Sequence, residues 1–220
     1  MISHKYKCIF IHIPKTAGTS ISKALGAFEA LERNVQDHRT IREIEPYSLS
    51  HIMQLFQKKD RSLEIRKIVN FLKRKSTVTR KQYNSYFKFT FVRNSWSRAL
   101  SWYKGVMHDD VLKRGLNIPD DCSFKDFLNR SIEQFHLKSQ LFWIKNKKGK
   151  IEMDFIGRYS RLEEDFAHVC KALGIENKDL PRMLIGDGQH YTDFYDDQTK
   201  DIIAERYREE IDLFKFEFGK

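Results

Sequence analysis

A chain of 220 residues that is 40% hydrophobic, with 17 Phe, 9 Tyr and 3 Trp, has the apolar material for one domain with a real core, which separates it from disordered and low-complexity polypeptides. Its 40 Lys and Arg outnumber 30 Asp and Glu, so the formal charge of +10 favours anionic partners, among which a phosphorylated nucleotide, an acidic glycan and nucleic acid all qualify. The 3 cysteines, Cys8, Cys122 and Cys170, lie far apart with no CxxC or clustered His, which argues against a disulfide framework and a zinc site, and no apolar run reaches the length of a membrane span.

Cys8 to Ile13 is rich in β-branched residues and reads as a strand that Pro14 stops. It runs into Lys15-Thr16-Ala17-Gly18-Thr19-Ser20, where Gly18 allows a tight turn, Thr19 or Ser20 caps a helix extending to about Glu32, and Lys15 adds a mobile charge. A strand, a small-residue turn and a helix start together grip phosphate through backbone N–H groups. The plain alternative is a strand-to-helix connection with an exposed lysine. The segment lacks the leading glycine and the Gly-Lys-Ser/Thr ending of a Walker A loop, which disfavours an ATP or GTP site. Alternation sets His12 on the opposite sheet face from Ile11 and Ile13, where a hydrogen bond supporting the loop is its expected task.

His38, in Asp37-His38-Arg39-Thr40-Ile41, follows a loop and opens the next element; imidazole suits proton abstraction near neutral pH. Glu43 and Glu45 are reserve bases, although carboxylates on helices are usually solvated. Leu49 to Tyr83 is a basic insertion in which Ile65, Ile68, Val69 and Leu72 have helical spacing; its charge is either a solvated face or a lip for an anionic acceptor. Phe87 to Val92 reads as a second buried strand that delivers Arg93 at its carboxyl end, where open α/β sheets bind ligands. A helix starting near Ser95 puts Arg98 and Ser101 on one face, with Trp96, Leu100 and Tyr103 toward the core and the arginines otherwise solvated. Lys145 to Lys150 reads as a surface hairpin or loop, and Leu162 to Leu173 as a helix ended by Gly174. Asp197 to Phe218 has helical spacing and should cover the sheet, with packing and capping as its only work.

Pro14-Lys15-Thr16-Ala17-Gly18-Thr19-Ser20 resembles the 5′-phosphosulfate loop of sulfotransferases that use 3′-phosphoadenosine 5′-phosphosulfate, PAPS. Arg93 to Tyr103 resembles their 3′-phosphate segment, with Ser95 where many members have proline, and Phe155-Ile156-Gly157-Arg158-Tyr159 through Leu162, Asp165 and Phe166 is similar to a segment of the carbohydrate sulfotransferases. Gln140 matches a glutamine often found near nucleotide or acceptor in that family. The resemblance implies an α/β fold, a P-loop-like central parallel sheet flanked by helices, as a single domain over residues 1–220 with a helical basic insertion around 49–83. It implies PAPS as donor and PAP as product without a metal, held by Lys15, Thr16, Ala17, Gly18, Thr19 and Ser20 at the 5′ end and by Arg93 and Ser101 at the 3′ end. Lys15 would be catalytic together with His38 as base, and a saccharide hydroxyl would be the acceptor, with no nucleic acid partner. A short polar start, Met1 to Lys7, with no signal peptide makes a cytoplasmic, bacterial-type soluble form the simplest expectation. A noncatalytic binder of polyanions and a P-loop kinase remain the rival classes.

Overall fold

The computed structural model describes residues 1–26, 36–47, 78–176, 179–181 and 190–220, so the helix expected within the basic insertion lies outside the described residues. Among the described residues, four strands form one sheet in the order β1 (Ile2–Ser3), β2 (Cys8–Ile11), β3 (Phe87–Val92), β4 (Phe155–Arg158). β1 is antiparallel to β2, while β2, β3 and β4 run parallel, with Phe10 opposite Phe89 and Phe91 opposite Gly157. The parallel trio is what the two apolar runs and the late Phe-Ile-Gly-Arg segment predict, since strands covered on both faces read as continuous apolar stretches.

Alternation divides the strand side chains between two faces. Cys8, Phe10, Phe89 and Phe91 pack with Ile21 and Leu25 of α1 (Gly18–Leu25) and with Phe166, Val169 and Cys170 of α8 (Leu162–Ala172). On the other face Ile9, Ile11 and Val92 meet α2 (Ile41–Ile44), Tyr83 of α3 (Arg80–Ser85) and Leu141, Trp143 and Ile144 of α7 (Gln140–Ile144). α4 (Ser95–Met107) is capped by Asn94, whose side chain accepts from the Trp96 and Ser97 N–H groups, as the expected start near Ser95 requires. It packs with α6 (Phe124–Ser131) in a third apolar cluster, and α5 (Asp110–Leu116) follows it in the chain.

The carboxyl-terminal segment departs from the expected single helix over the sheet. Tyr207 breaks it into α9 (Asp197–Arg206) and α10 (Arg208–Phe214), and Ile203 and Tyr207 join the α4 cluster; Phe214 alone of the buried residues there reaches the sheet. α1 likewise ends at Gly26, whose φ of 62° places it in the left-handed region with its N–H on the Ser22 carbonyl; residues 27–32 of the expected helix lie outside the described residues. Lys145 to Lys150 is a tied hairpin: Asn146 N–H donates to the Lys150 carbonyl at 2.8 Å, Lys145 pairs with Glu209, and Lys147 N–H donates to Glu45 at 2.9 Å. All three cysteines are buried and free. Among the described residues no helix is long and apolar enough to cross a membrane.

Gly157 is required by its partner across the ladder, because a Cβ there would lie 2.5 Å from the Phe91 ring. Gly157→Ala should therefore lower stability by about 1–3 kcal/mol, the usual cost of overpacking a core, as read from urea denaturation at constant m-value.

Candidate active site

The turn after β2 forms by a different route from the one the glycine suggests. Lys15 and Ala17 take the left-handed conformation, with φ of 68° and 66°, and the helix starts at Gly18 with Ala17 as its N-cap and no side-chain cap. Thr19 and Ser20 thus sit inside the first turn and do not cap it. Gly18 answers to packing: a Cβ would stand 1.8 Å from the His12 ring. Two non-glycine residues at positive φ cost on the order of 1–3 kcal/mol each, a strain typical of ligand clamps. Thr16 is buried, and its hydroxyl donates to the Ile13 carbonyl at 2.9 Å, which ties the turn back to the strand and leaves only its backbone for a ligand. An α-helix supplies no carbonyl acceptors to its first N–H groups, so those of Gly18, Thr19 and Ser20 are donors for an anion.

Two cations converge on this turn. Arg93, at the end of β3, donates from Nη1 to the Lys15 carbonyl at 3.3 Å and from Nε to Ser97 Oγ at 2.9 Å, and its guanidinium lies 4.1 Å from the centre of the Tyr159 ring. The Lys15 ammonium reaches α4, where a Cβ on Gly105 would be 3.2 Å away. Neither side chain has an ion pair with a carboxylate among the described residues. Burial first, and then the charge of Arg93, lowers the Lys15 pKa from its ordinary value; burial likewise lowers that of Arg93. Four-residue spacing aligns Ser97, Ser101 and Gly105 on α4, so Ser101 falls between the residue bonded to Arg93 and the residue beside Lys15. Arg93 lines a cleft of about 280 Å³ together with Ser97, Arg158, Tyr159, Tyr191, Phe216 and Glu217.

Arg98 differs from expectation. It is 1% exposed, and it donates to the His136 carbonyl at 3.1 Å and the Lys138 carbonyl at 2.8 Å, so it fixes the segment before α7 and is neither solvated nor available to a ligand. Gln140 also has a defined task. Its Oε1 accepts from the Arg93 N–H and its Nε2 donates to the Arg93 carbonyl, both at 2.8 Å, so the amide clamps the backbone that carries Arg93. Beneath it lies Glu210, 0% exposed, which accepts from Ser95 Oγ and Ser139 Oγ at 2.7 Å each, from Gln140 Nε2 at 3.0 Å and from the Gln140 N–H.

His38 stands beside the turn. Its Nδ1 is 2.9 Å from the His12 carbonyl and its Nε2 is 3.1 Å from Gln36 Oε1, while its ring centre lies 4.3 Å from that of His12 and 6.2 Å from that of His136. Burial lowers its pKa from the ordinary histidine value, against the opposing pull of the His12 carbonyl and Asp37, which favours the neutral ring near pH 7. His12 makes no side-chain hydrogen bond at Nδ1, contrary to expectation; it supports the turn by lying against Gly18. The reserve bases are occupied: Glu43 closes the capping box of α2 with Thr40, and buried Glu45 holds the Lys147 N–H and faces Arg80 at 3.8 Å. Asp165, buried at the start of α8, accepts from the Arg158 N–H at 2.6 Å, which explains an acid following Phe-Ile-Gly-Arg at this distance.

Sequence reasoning missed Glu210, which nothing separates from its exposed neighbour Glu209, and Gly105, for which a glycine inside a helix was the available signal. Comparison with known proteins agrees with the geometry. A model of the sulfotransferase family matches residues 1–217, and the chain belongs to that family. An uncharacterized protein of Archaeoglobus fulgidus is 30% identical over 101 residues, which cover 46% of this chain and 78% of that protein. No solved structure matches the chain.

Two outcomes follow from the buried groups. Glu210→Leu strands four donors and should lower stability by about 3 kcal/mol or more in urea denaturation. Burial holds the His12 pKa well below its ordinary value of 6.5, so below that pH the unfolded chain binds a proton that the folded one refuses. Stability should fall as the pH drops from 6.5, by up to about 1.4 kcal/mol per unit from this group, and His12→Gln should flatten the slope.

Proposed function

We propose that this sulfotransferase moves the sulfuryl group of PAPS to a hydroxyl of a saccharide. The observation that carries the reading is the pair Lys15 and Arg93, two half-buried cations with no carboxylate partner among the described residues, beside first-turn N–H groups at the ends of adjacent parallel strands. Such a site fits two phosphate groups. The backbone of Thr16 to Ser20, with the Thr19 and Ser20 hydroxyls and Lys15, would hold the 5′-phosphosulfate; Arg93 and Ser101 would hold the 3′-phosphate; the cleft beside Tyr159 takes the nucleoside.

His38 Nε2 accepts the proton of the acceptor hydroxyl as its oxygen bonds to sulfur in line with the departing phosphate oxygen. Lys15 balances the charge that grows on that oxygen when its bond to sulfur breaks. The proton ends on His38, and PAP leaves. A kinase reading has no comparable support, since the turn lacks the Gly-Lys-Ser/Thr sequence that places metal and γ-phosphate. One domain over residues 1–220 carries the reaction. Three free, buried cysteines suit a reducing compartment such as the cytoplasm.

The test is transfer of radiolabelled sulfur from PAPS onto a panel of oligosaccharides. Lys15→Ala should reduce kcat by about 100-fold or more, and His38→Ala by a similar factor, with the folded state intact. Wild-type turnover in Lys15→Ala would show the mechanism to be wrong.

A further inference from the structure

Gln36 spans two functional groups. Its Nε2 is 3.0 Å from Thr19 Oγ1, in the first turn of α1, and its Oε1 is 3.1 Å from Nε2 of His38. On the far side of the ring, Nδ1 is 2.9 Å from the His12 carbonyl oxygen, which can only accept. Nδ1 therefore keeps its hydrogen in both states of His38, and Nε2 is the atom that gains or loses a proton.

An amide presents an acceptor at one end and donors at the other, and the two ends are alike in shape. With a proton on His38 Nε2, that N–H donates to Gln36 Oε1 and the amide NH₂ donates to Thr19 Oγ1, along the contacts of 3.1 and 3.0 Å. With Nε2 bare, the amide must turn over: its NH₂ donates to Nε2, and its oxygen accepts from the Thr19 hydroxyl. The Thr19 O–H is thus held by Gln36 when His38 is neutral and released when His38 is protonated.

We propose that Gln36 is a positioning residue that couples the proton on His38 Nε2 to the hydroxyl of Thr19 in the anion-binding turn. The proposal rests on the reading of His38 as the base. During transfer the acceptor hydroxyl takes the place of the amide at bare Nε2, its proton passes to Nε2, and Gln36 Oε1 receives the new N–H. The Thr19 hydroxyl, relieved of that oxygen, then donates to the departing phosphate at the moment its charge grows. The charged and titratable groups around His38 are Asp37, which Arg39 already engages, the Met1 ammonium, His12 on the strand side and His136 on the turn before α7.

The experiment is NMR titration of the free protein, following the His38 ring nitrogens and the Thr19 methyl group between acid and neutral pH in wild type, Gln36→Glu and Gln36→Leu. Gln36 is exposed, so both variants should fold. In wild type the Thr19 signal should titrate with the His38 midpoint, and in Gln36→Leu it should no longer follow it. Gln36→Glu offers only acceptors, so the His38 midpoint should rise by about one pH unit or more, and the acidic limb of kcat/KM with it. A flat Thr19 signal in wild type, a Thr19 signal that still follows His38 in Gln36→Leu, or an unmoved midpoint in Gln36→Glu would each overturn the proposal. The NMR readings need no donor, so failure of the donor assignment would appear separately as absence of PAP binding.

Discussion

Two positive charges held together with no negative partner among the described residues are the constraint on which the structure around the site turns. Lys15 and Arg93 come from different strands, yet the Arg93 guanidinium donates to the Lys15 backbone, and both are buried enough to depress their pKa values. Like charges in a half-desolvated cleft repel, and a fold keeps them there only when something else fixes the backbone and an anion completes the arrangement. This arrangement is what supports the proposal of a ligand rich in phosphate oxygens.

The fixing is done from behind. Glu210, on the last helix, lies beneath the loop and gathers Ser95, Ser139 and Gln140. Gln140 then grips both backbone groups of Arg93. Negative charge is thus used to order the scaffold without neutralising the guanidinium. The same division appears at the other loop, where Thr16 anchors the turn inward and His12 packs on Gly18, so that Lys15 and Ala17 can be held at unfavourable φ. Strain of this kind persists where surrounding contacts over-determine it.

The sheet strands and the helices that follow them were legible because their signals are local. Cys8 to Ile13 and Phe87 to Val92 are continuous apolar runs, and Asn94 and Gly174 mark helix ends by their own chemistry. Other features depend on partners distant in sequence. Arg98 reads as an exposed helical arginine until the 136–138 carbonyls close over it, and Glu43 reads as a spare base until Thr40 claims it. Gly18 suggested backbone freedom, whereas the requirement is space for the His12 ring, a contact that pattern alone does not carry. The break at Tyr207 was hidden because apolar spacing continues through it while the tyrosine turns toward α4.

Membership of the sulfotransferase family fixes the class of reaction, and the proposal of PAPS as donor rests on the pairing of Lys15 with Arg93. The most direct measurement is calorimetric titration of the protein with PAP and with AMP, in wild type and in Arg93→Ala. The account predicts that PAP binds at least about 10-fold more tightly than AMP, since one charge-assisted phosphate contact is worth at least that much, and that Arg93→Ala removes the difference. Equal affinity for the two nucleotides in the wild-type protein would contradict it.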